Sequence, residues 1–193
     1  MPGIFEVMVG ASLFYVDQSG AFALQGDLID LDKRVNISDA RRADARKNVF
    51  ASLDRKDVIE FLPEGRDIRA KLYVYTDIDC GYCRKLHLEV PALNDAGIAV
   101  AYLAFPRSGP EGESFEKAAA VWCAKDRRQA LTAAKAGKKV SSAKCENPVA
   151  AQFELGRSMG VGGTPAVYTE SGAELGGYVP AKTLIKLVDD GRI

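Results

Sequence analysis

Cys80 and Cys83 are separated only by Gly81 and Tyr82, and they stand where a strand-like run, residues 71–77, gives way to a helical pattern over residues 84–96. That position puts the first sulfur at a helix N-terminus and the second one turn inside the helix. The unpaired N–H groups and partial positive charge of a helix start stabilise a thiolate, so Cys80 is expected to titrate below a free thiol and to be the attacking sulfur. Cys83 can then resolve a mixed disulfide. Two other readings stand beside this dithiol chemistry: a buried pair without redox function, and part of a zinc site. Zinc asks for four ligands, for which the cysteines and the single histidine, His87, are the candidates. There is no second CxxC, and His87, on the same helical face as Cys83, reads as a structural helix residue without a catalytic role. No metal and no cofactor is expected.

The rest of the composition narrows the partners. Among 193 residues, 26 basic side chains balance 26 acidic ones, and no run of like charge offers the footprint that nucleic acid or an anionic membrane requires. Hydrophobic residues make up 47% and charged residues 27%, which is the range of a folded globular chain, and the longest apolar stretch is too short to span a bilayer. Four cysteines in a chain of this length suggest disulfides added to an adequate core rather than a fold held together by bridges. No signal peptide is visible, because Met1-Pro2-Gly3 leads straight into Ile4-Phe5-Glu6-Val7. The compartment must therefore be inferred from the chemistry.

The elements that must position the cysteines follow from periodicity. Residues 4–9, 12–16 and 21–31 read as strands, with a turn at Asp17-Gln18-Ser19-Gly20. So small a β element cannot bury a core alone, and must pack on the rest of the chain or on a second copy. Residues 38–54 are helical in pattern, with Ser38 as N-cap, and polar nearly all round. That favours a solvent-bridging linker over a surface helix of one packed unit. Residues 58–62 and 71–77 fit a hairpin with a long turn at Pro63-Glu64-Gly65-Arg66-Asp67. The helix after the cysteines carries Pro91 as a kink and ends at Gly97, and the apolar strand 98–105 completes a βαβ unit. Helical segments follow at 111–136 and 148–159, the second started by Asn147 as N-cap and Pro148 at the first helical position. Strands at 166–169 and 174–179 and a helix at 180–190 finish the chain.

Four stretches now carry a resemblance. Tyr75-Thr76-Asp77-Ile78-Asp79-Cys80-Gly81-Tyr82-Cys83, Tyr102-Leu103-Ala104-Phe105-Pro106-Arg107, Trp122-Cys123-Ala124-Lys125-Asp126 and Gly162-Gly163-Thr164-Pro165-Ala166-Val167 resemble the matching parts of the bacterial DsbC/DsbG thiol:disulfide interchange proteins. The Gly-Tyr dipeptide points to the DsbC branch, and Leu24-Gln25-Gly26-Asp27-Leu28 is similar to part of the family's dimerisation module. The resemblance implies an α/β fold. A thioredoxin-like catalytic domain with a helical insertion (residues 55–193) would follow a linker helix (38–54) and a small β-rich dimerisation module (1–37).

It also implies that Thr164-Pro165 is a cis-proline loop facing the CxxC, that Gly81 and Tyr82 complete the active-site loop, and that Cys123 and Cys145 form a structural disulfide. The implied activity is isomerisation of wrongly paired disulfides in folding proteins of the Gram-negative periplasm. The partners would be misfolded disulfide-containing proteins, a membrane reductant of the DsbD type and a second copy of the chain. A DsbG-like reductase of single oxidised cysteines and a dimeric holdase chaperone are the alternatives. The family's chains usually carry a further segment before the first strand, so this one reads as shortened there, with any signal peptide removed. Thioredoxins keep a buried acid six residues before the first cysteine; here that residue is Val74, and no proton acceptor for Cys83 is evident. Asp77 and Asp79 are expected to serve as turn and capping residues.

Overall fold

The N-terminal strands leave much of their apolar surface outward. In the computed structural model, which describes residues 3–10, 12–141 and 145–193, β1 (Ile4–Val9) pairs antiparallel with β2 (Ser12–Asp17), and β3 (Ala23–Leu24) adds to the other edge of β2. Met1 and Pro2, which open the expected module, lie outside the described residues. On β2 only Leu13 and Tyr15 are buried, whereas every residue of β1 is exposed. The strand expected over residues 21–31 is broken in two: β3 pairs with β2, while β4 (Ile29–Asp30) pairs with β5 (Val35–Asn36). Asp27 lies in the break, where its carboxylate accepts from Asn36 and Arg42 at 2.7 Å each.

Helix α1 (Ile37–Ser52) departs from its expected start and its expected surroundings. Asn36 is the N-cap, its Oδ1 accepting from the Asp39 N–H at 2.9 Å. Ser38 turns inward instead, where its hydroxyl meets that of Tyr15 and accepts from the Leu28 N–H at 2.7 Å. Nor does the helix bridge solvent. Phe50 stacks on Tyr73 with ring centroids 4.3 Å apart, and the fully buried Arg46 lies over the Tyr168 ring and donates Nε–H to the Gly172 carbonyl at 2.7 Å. Gly172 has φ +83°, and a Cβ there would come within 1.9 Å of the Ala43 carbonyl, so the turn can press on α1 only as glycine. A helix whose pattern is polar nearly all round thus carries a buried charged donor to backbone.

Five strands form the central sheet, in the order β10-β9-β7-β8-β6. β7 (Ala70–Thr76) lies parallel to β8 (Ile98–Ala104) and antiparallel to β9 (Ala166–Thr169), which pairs in turn with β10 (Glu174–Gly176). β6 (Ile59–Phe61) does not form the expected hairpin with β7. It pairs antiparallel with β8, Ile59 opposite Tyr102, because the parallel partner β7 occupies one side of β8 and residues 62–69 carry the chain across to it. β8 is buried along all seven residues, as expected of a strand covered on both faces.

Side chains alternate between those faces. Leu72, Val74, Val100, Tyr102 and Val167 meet α2 (Gly81–Leu88), α3 (Val90–Asp95), α4 (Glu113–Trp122), α5 (Arg127–Lys135) and α7 (Ala181–Asp189). Tyr73, Tyr75, Leu103 and Tyr168 meet Phe50 of α1 and Phe153 of α6 (Val149–Ser158).

The helix expected as one kinked unit over 84–96 divides at Glu89, because Pro91 in the first turn of α3 has no N–H to continue the ladder. The block expected over 111–136 likewise divides, α4 ending at Cys123 and α5 starting from Asp126, whose carboxylate accepts from the Gln129 N–H. Pro148 is the N-cap of α6 rather than its first residue, and Asn147 Oδ1 accepts from the Val149 N–H. No helix among the described residues is long and apolar enough to cross a membrane.

Candidate active site

The end of β7 aims Thr76 and Asp77 at the start of α2. Between them and the helix, the Asp79 N–H donates to Asp77 Oδ1 at 2.7 Å, closing the turn that delivers Cys80 as the N-cap. The Cys80 sulfur takes the place of a capping oxygen and accepts from the Cys83 N–H at 3.4 Å. Asp77 is buried and its other oxygen accepts from the Arg107 N–H and Nε–H at 2.9 and 3.1 Å. Asp79 pairs with Arg84 and Lys117 at 3.0 Å each. Both carboxylates are thus matched by cations and do not oppose a thiolate.

The loop before β9 forms the opposite wall. Its Thr164-Pro165 bond is cis, and the Cys80 thiol donates to the Thr164 carbonyl at 3.2 Å. The Thr164 hydroxyl is buried without a conventional hydrogen-bond partner and favours the anion of either sulfur. Outside, Gly81 and Tyr82 are exposed, and the Tyr82 ring stacks at 5.9 Å on Tyr178, over which Lys85 also lies.

The two sulfurs are tuned in opposite directions. Burial pushes the Cys80 thiol up, but the Thr164 hydroxyl, the thiol and N–H of Cys83, and the Arg107 guanidinium together hold it below the ordinary thiol value. Deeper burial leaves Cys83 raised, although Lys135, the Asp77 N–H and the hydroxyls of Thr164 and Thr76 oppose the rise. The site therefore presents one sulfur that ionises more readily than an ordinary thiol and a second held as thiol at neutral pH.

His87 belongs to the packing behind the site. Its Nδ1 meets the Tyr102 hydroxyl at 3.1 Å and its Nε2 that of Thr132 at 2.9 Å, and burial, aided by Lys135, pushes it down to about 4. Both ring nitrogens are thus engaged by hydroxyls rather than turned to the cysteines.

Cys80, Cys83, Gly81, Tyr82, Thr164 and Pro165 come together in this one cluster. The other two cysteines are bonded to each other, with Cα atoms 5.6 Å apart, and tie the C-cap of α4 to the segment before α6. Sequence reasoning missed three residues here: Arg107, Thr76 and Lys135. Thr76 and Arg107 had a signal in their place at and just past the C-terminal ends of the two parallel strands. Lys135 had one in its helical register, four residues beyond Leu131 on a buried stripe.

A dithiol at the start of the helix that follows β7, faced by a cis-proline loop on a five-stranded sheet, defines a thioredoxin-fold thiol:disulfide exchange protein. Residues 55–192 match the thioredoxin-like domain, and residues 1–39 match the disulfide bond isomerase protein N-terminal domain. The thiol:disulfide interchange protein DsbC of Escherichia coli K12 is 32% identical over 188 residues, covering 97% of this chain and 78% of that protein. The DsbC of Dickeya dadantii is 34% identical over 195 residues, covering 97% and 76%. A crystal structure of a disulfide interchange protein from Neisseria gonorrhoeae superposes with a TM-score of 0.62 at 27% identity, over 72% of this chain and 97% of that one. The chain belongs to the DsbC family of thiol:disulfide interchange proteins.

Proposed function

We propose that this protein isomerises wrongly paired disulfides in folding proteins, with Cys80 as nucleophile and Cys83 as resolving thiol. The observation that carries the reading is the Cys80 sulfur itself: it caps α2, lies against the Thr164-Pro165 loop and is held below the ordinary thiol value. The Cys80 thiolate attacks one sulfur of a substrate disulfide, forming a mixed disulfide and releasing the other substrate sulfur as a thiolate. Attack by a different substrate thiolate then forms the new substrate disulfide and returns Cys80, with no net oxidation. Where no substrate thiol arrives, Cys83 displaces the substrate and the enzyme is left oxidised.

Gly81, Tyr82, Thr164 and Pro165 form the loops that receive the substrate chain, Tyr82 by its exposed ring and the proline loop by backbone pairing with an extended segment. Cys123 and Cys145 are structural. Residues 1–37 form the dimerisation module, 38–54 the linker helix and 55–193 the catalytic domain, and two copies assemble through the first of these. The setting is the periplasm, where a membrane reductant of the DsbD type restores the dithiol after Cys83 closure.

Reactivation of a scrambled multi-disulfide protein tests the reading. The parent chain, supplied as dithiol, is expected to restore native pairing, and Cys80→Ala is expected to lose that ability. Retention of reactivation by Cys80→Ala would overturn it.

A further inference from the structure

Helix α5 carries a lysine that its own periodicity turns inward. Lys135 follows the buried Leu131 and Ala134, and only 5% of its surface is exposed. Its ammonium group donates to the Thr76 hydroxyl at 2.7 Å and to the Asp77 carbonyl at 3.4 Å, and it lies 5.6 Å from the centre of the Tyr102 ring. Both hydrogen bonds go to neutral oxygens, and no carboxylate pairs with it among the described residues. A buried ammonium without a counter-ion is unfavourable, so the position makes sense where an anion forms beside it for part of the reaction.

The anion is supplied by the cysteines. Of the groups around Lys135, Cys83 acts on its charge most strongly after burial, ahead of Cys80 and Asp77. The Thr76 hydroxyl that Lys135 holds also favours the anion of Cys83. A hydroxyl that accepts from an ammonium has its own proton free to donate onward, which is what a thiolate needs.

We propose that Lys135 is a positioning residue: through the Thr76 hydroxyl it limits how far burial disfavours the Cys83 anion, and so sets how soon Cys83 ends a mixed disulfide that no substrate thiol has resolved. This rests on the isomerase reading and adds a control on its escape step. In that step the Cys83 proton leaves to solvent and the thiolate attacks the Cys80 sulfur. The Cys80–Cys83 bond forms and the bond from Cys80 to substrate breaks. The substrate sulfur departs as a thiolate and takes a proton from water. Two electrons pass to the substrate, and the oxidised enzyme then needs the dithiol reductant already invoked.

Of the other groups facing Lys135, His87 on α2 is pushed down to about 4 and is uncharged near neutral pH, and the Tyr102 hydroxyl on β8 is pushed up and stays protonated. Asp77 is paired with Arg107, and Arg84 on α2 places a like charge near the ammonium. Lys135 itself is pushed down to about 8 by burial, so its charge is present at neutral pH and fades as pH rises through that value.

The test titrates Cys83 alone, in the full chain carrying Cys80→Ala, by thiolate absorbance and by alkylation against pH. Adding Lys135→Met, which keeps the length and removes the charge, is expected to move the Cys83 inflection upward and to slow labelling at neutral pH by about tenfold. Lys135→Arg should restore most of the difference. Thr76→Val, which keeps Lys135 and removes the hydroxyl, should shift the inflection in the same direction. With Cys80 restored, Lys135→Met should prolong the mixed disulfide. An unchanged inflection in a folded Lys135→Met chain would overturn the proposal, as would an unchanged one in Thr76→Val. The titration involves no turnover, so its failure is distinct from failure of the isomerase reading, which the reactivation assay judges.

Discussion

Strands β1 and β8 are of similar length and opposite situation. All six residues of β1 are exposed, among them Ile4, Phe5, Val7 and Met8, while all seven of β8 are buried. β8 has a strand on each side and helices over both faces. β1 has one partner strand and leaves its apolar side chains uncovered within the single chain. Exposed apolar clusters of this kind mark interaction surfaces. The central sheet, with Phe50 of α1 packed on it, thus has a completed core, while the N-terminal strands present a surface that a second copy would complete.

Three experiments put that contrast to the test. The largest effect is expected from removing residues 1–36. The shortened chain should be monomeric by light scattering and should still reduce a simple disulfide, while reactivation of a scrambled protein should fall roughly tenfold or more as two tethered sites become one. A dimer that persists without these strands would show that the exposed face is not what joins the copies.

Phe50→Ala asks on which side of the contrast α1 belongs. Its ring is buried on Tyr73, so truncation should destabilise the catalytic domain by about 3–5 kcal/mol in urea unfolding. An unchanged midpoint would assign α1 to the N-terminal module instead. The smallest effect is expected at the site. Arg107→Gln removes a cation that favours the Cys80 thiolate, so the inflection of Cys80 labelling should move to higher pH. Labelling should slow on the acid side and reach the same plateau on the alkaline side. The half-exposed guanidinium is screened, and the shift should stay under about one pH unit.

Local signals and long-range ones were unequally legible. The strand, turn and helix around Cys80 could be read because neighbouring residues determine them, and so could the parallel pairing of β7 and β8, which follows from the helical crossover between them. The partner of β6 could not, since choosing β8 over β7 depends on an edge that exists only once the sheet is built. α1 misled for a related reason. Hydropathy counts Arg46 as a solvated charge, yet its guanidinium binds the Gly172 carbonyl, 126 positions along the chain. Lys135 was obscured in the same way: its register points inward, but its residue type points to water.

The bond between Cys123 and Cys145 also bears on how the molecule is made. Along the chain the cysteines occur as Cys80, Cys83, Cys123 and Cys145, and the bond that is formed, like the pair left as dithiol, joins consecutive members. Chains are synthesised from the N-terminus. Thiols oxidised in order of emergence would pair Cys80 with Cys83 before Cys123 had appeared, and Cys123 would then meet Cys145 as its first free neighbour. Vectorial oxidation alone therefore yields the native pairing, and the two mispaired alternatives each require a thiol to wait while a nearer one is passed over. A catalyst for repairing misjoined disulfides is laid out so that its own synthesis does not call for one.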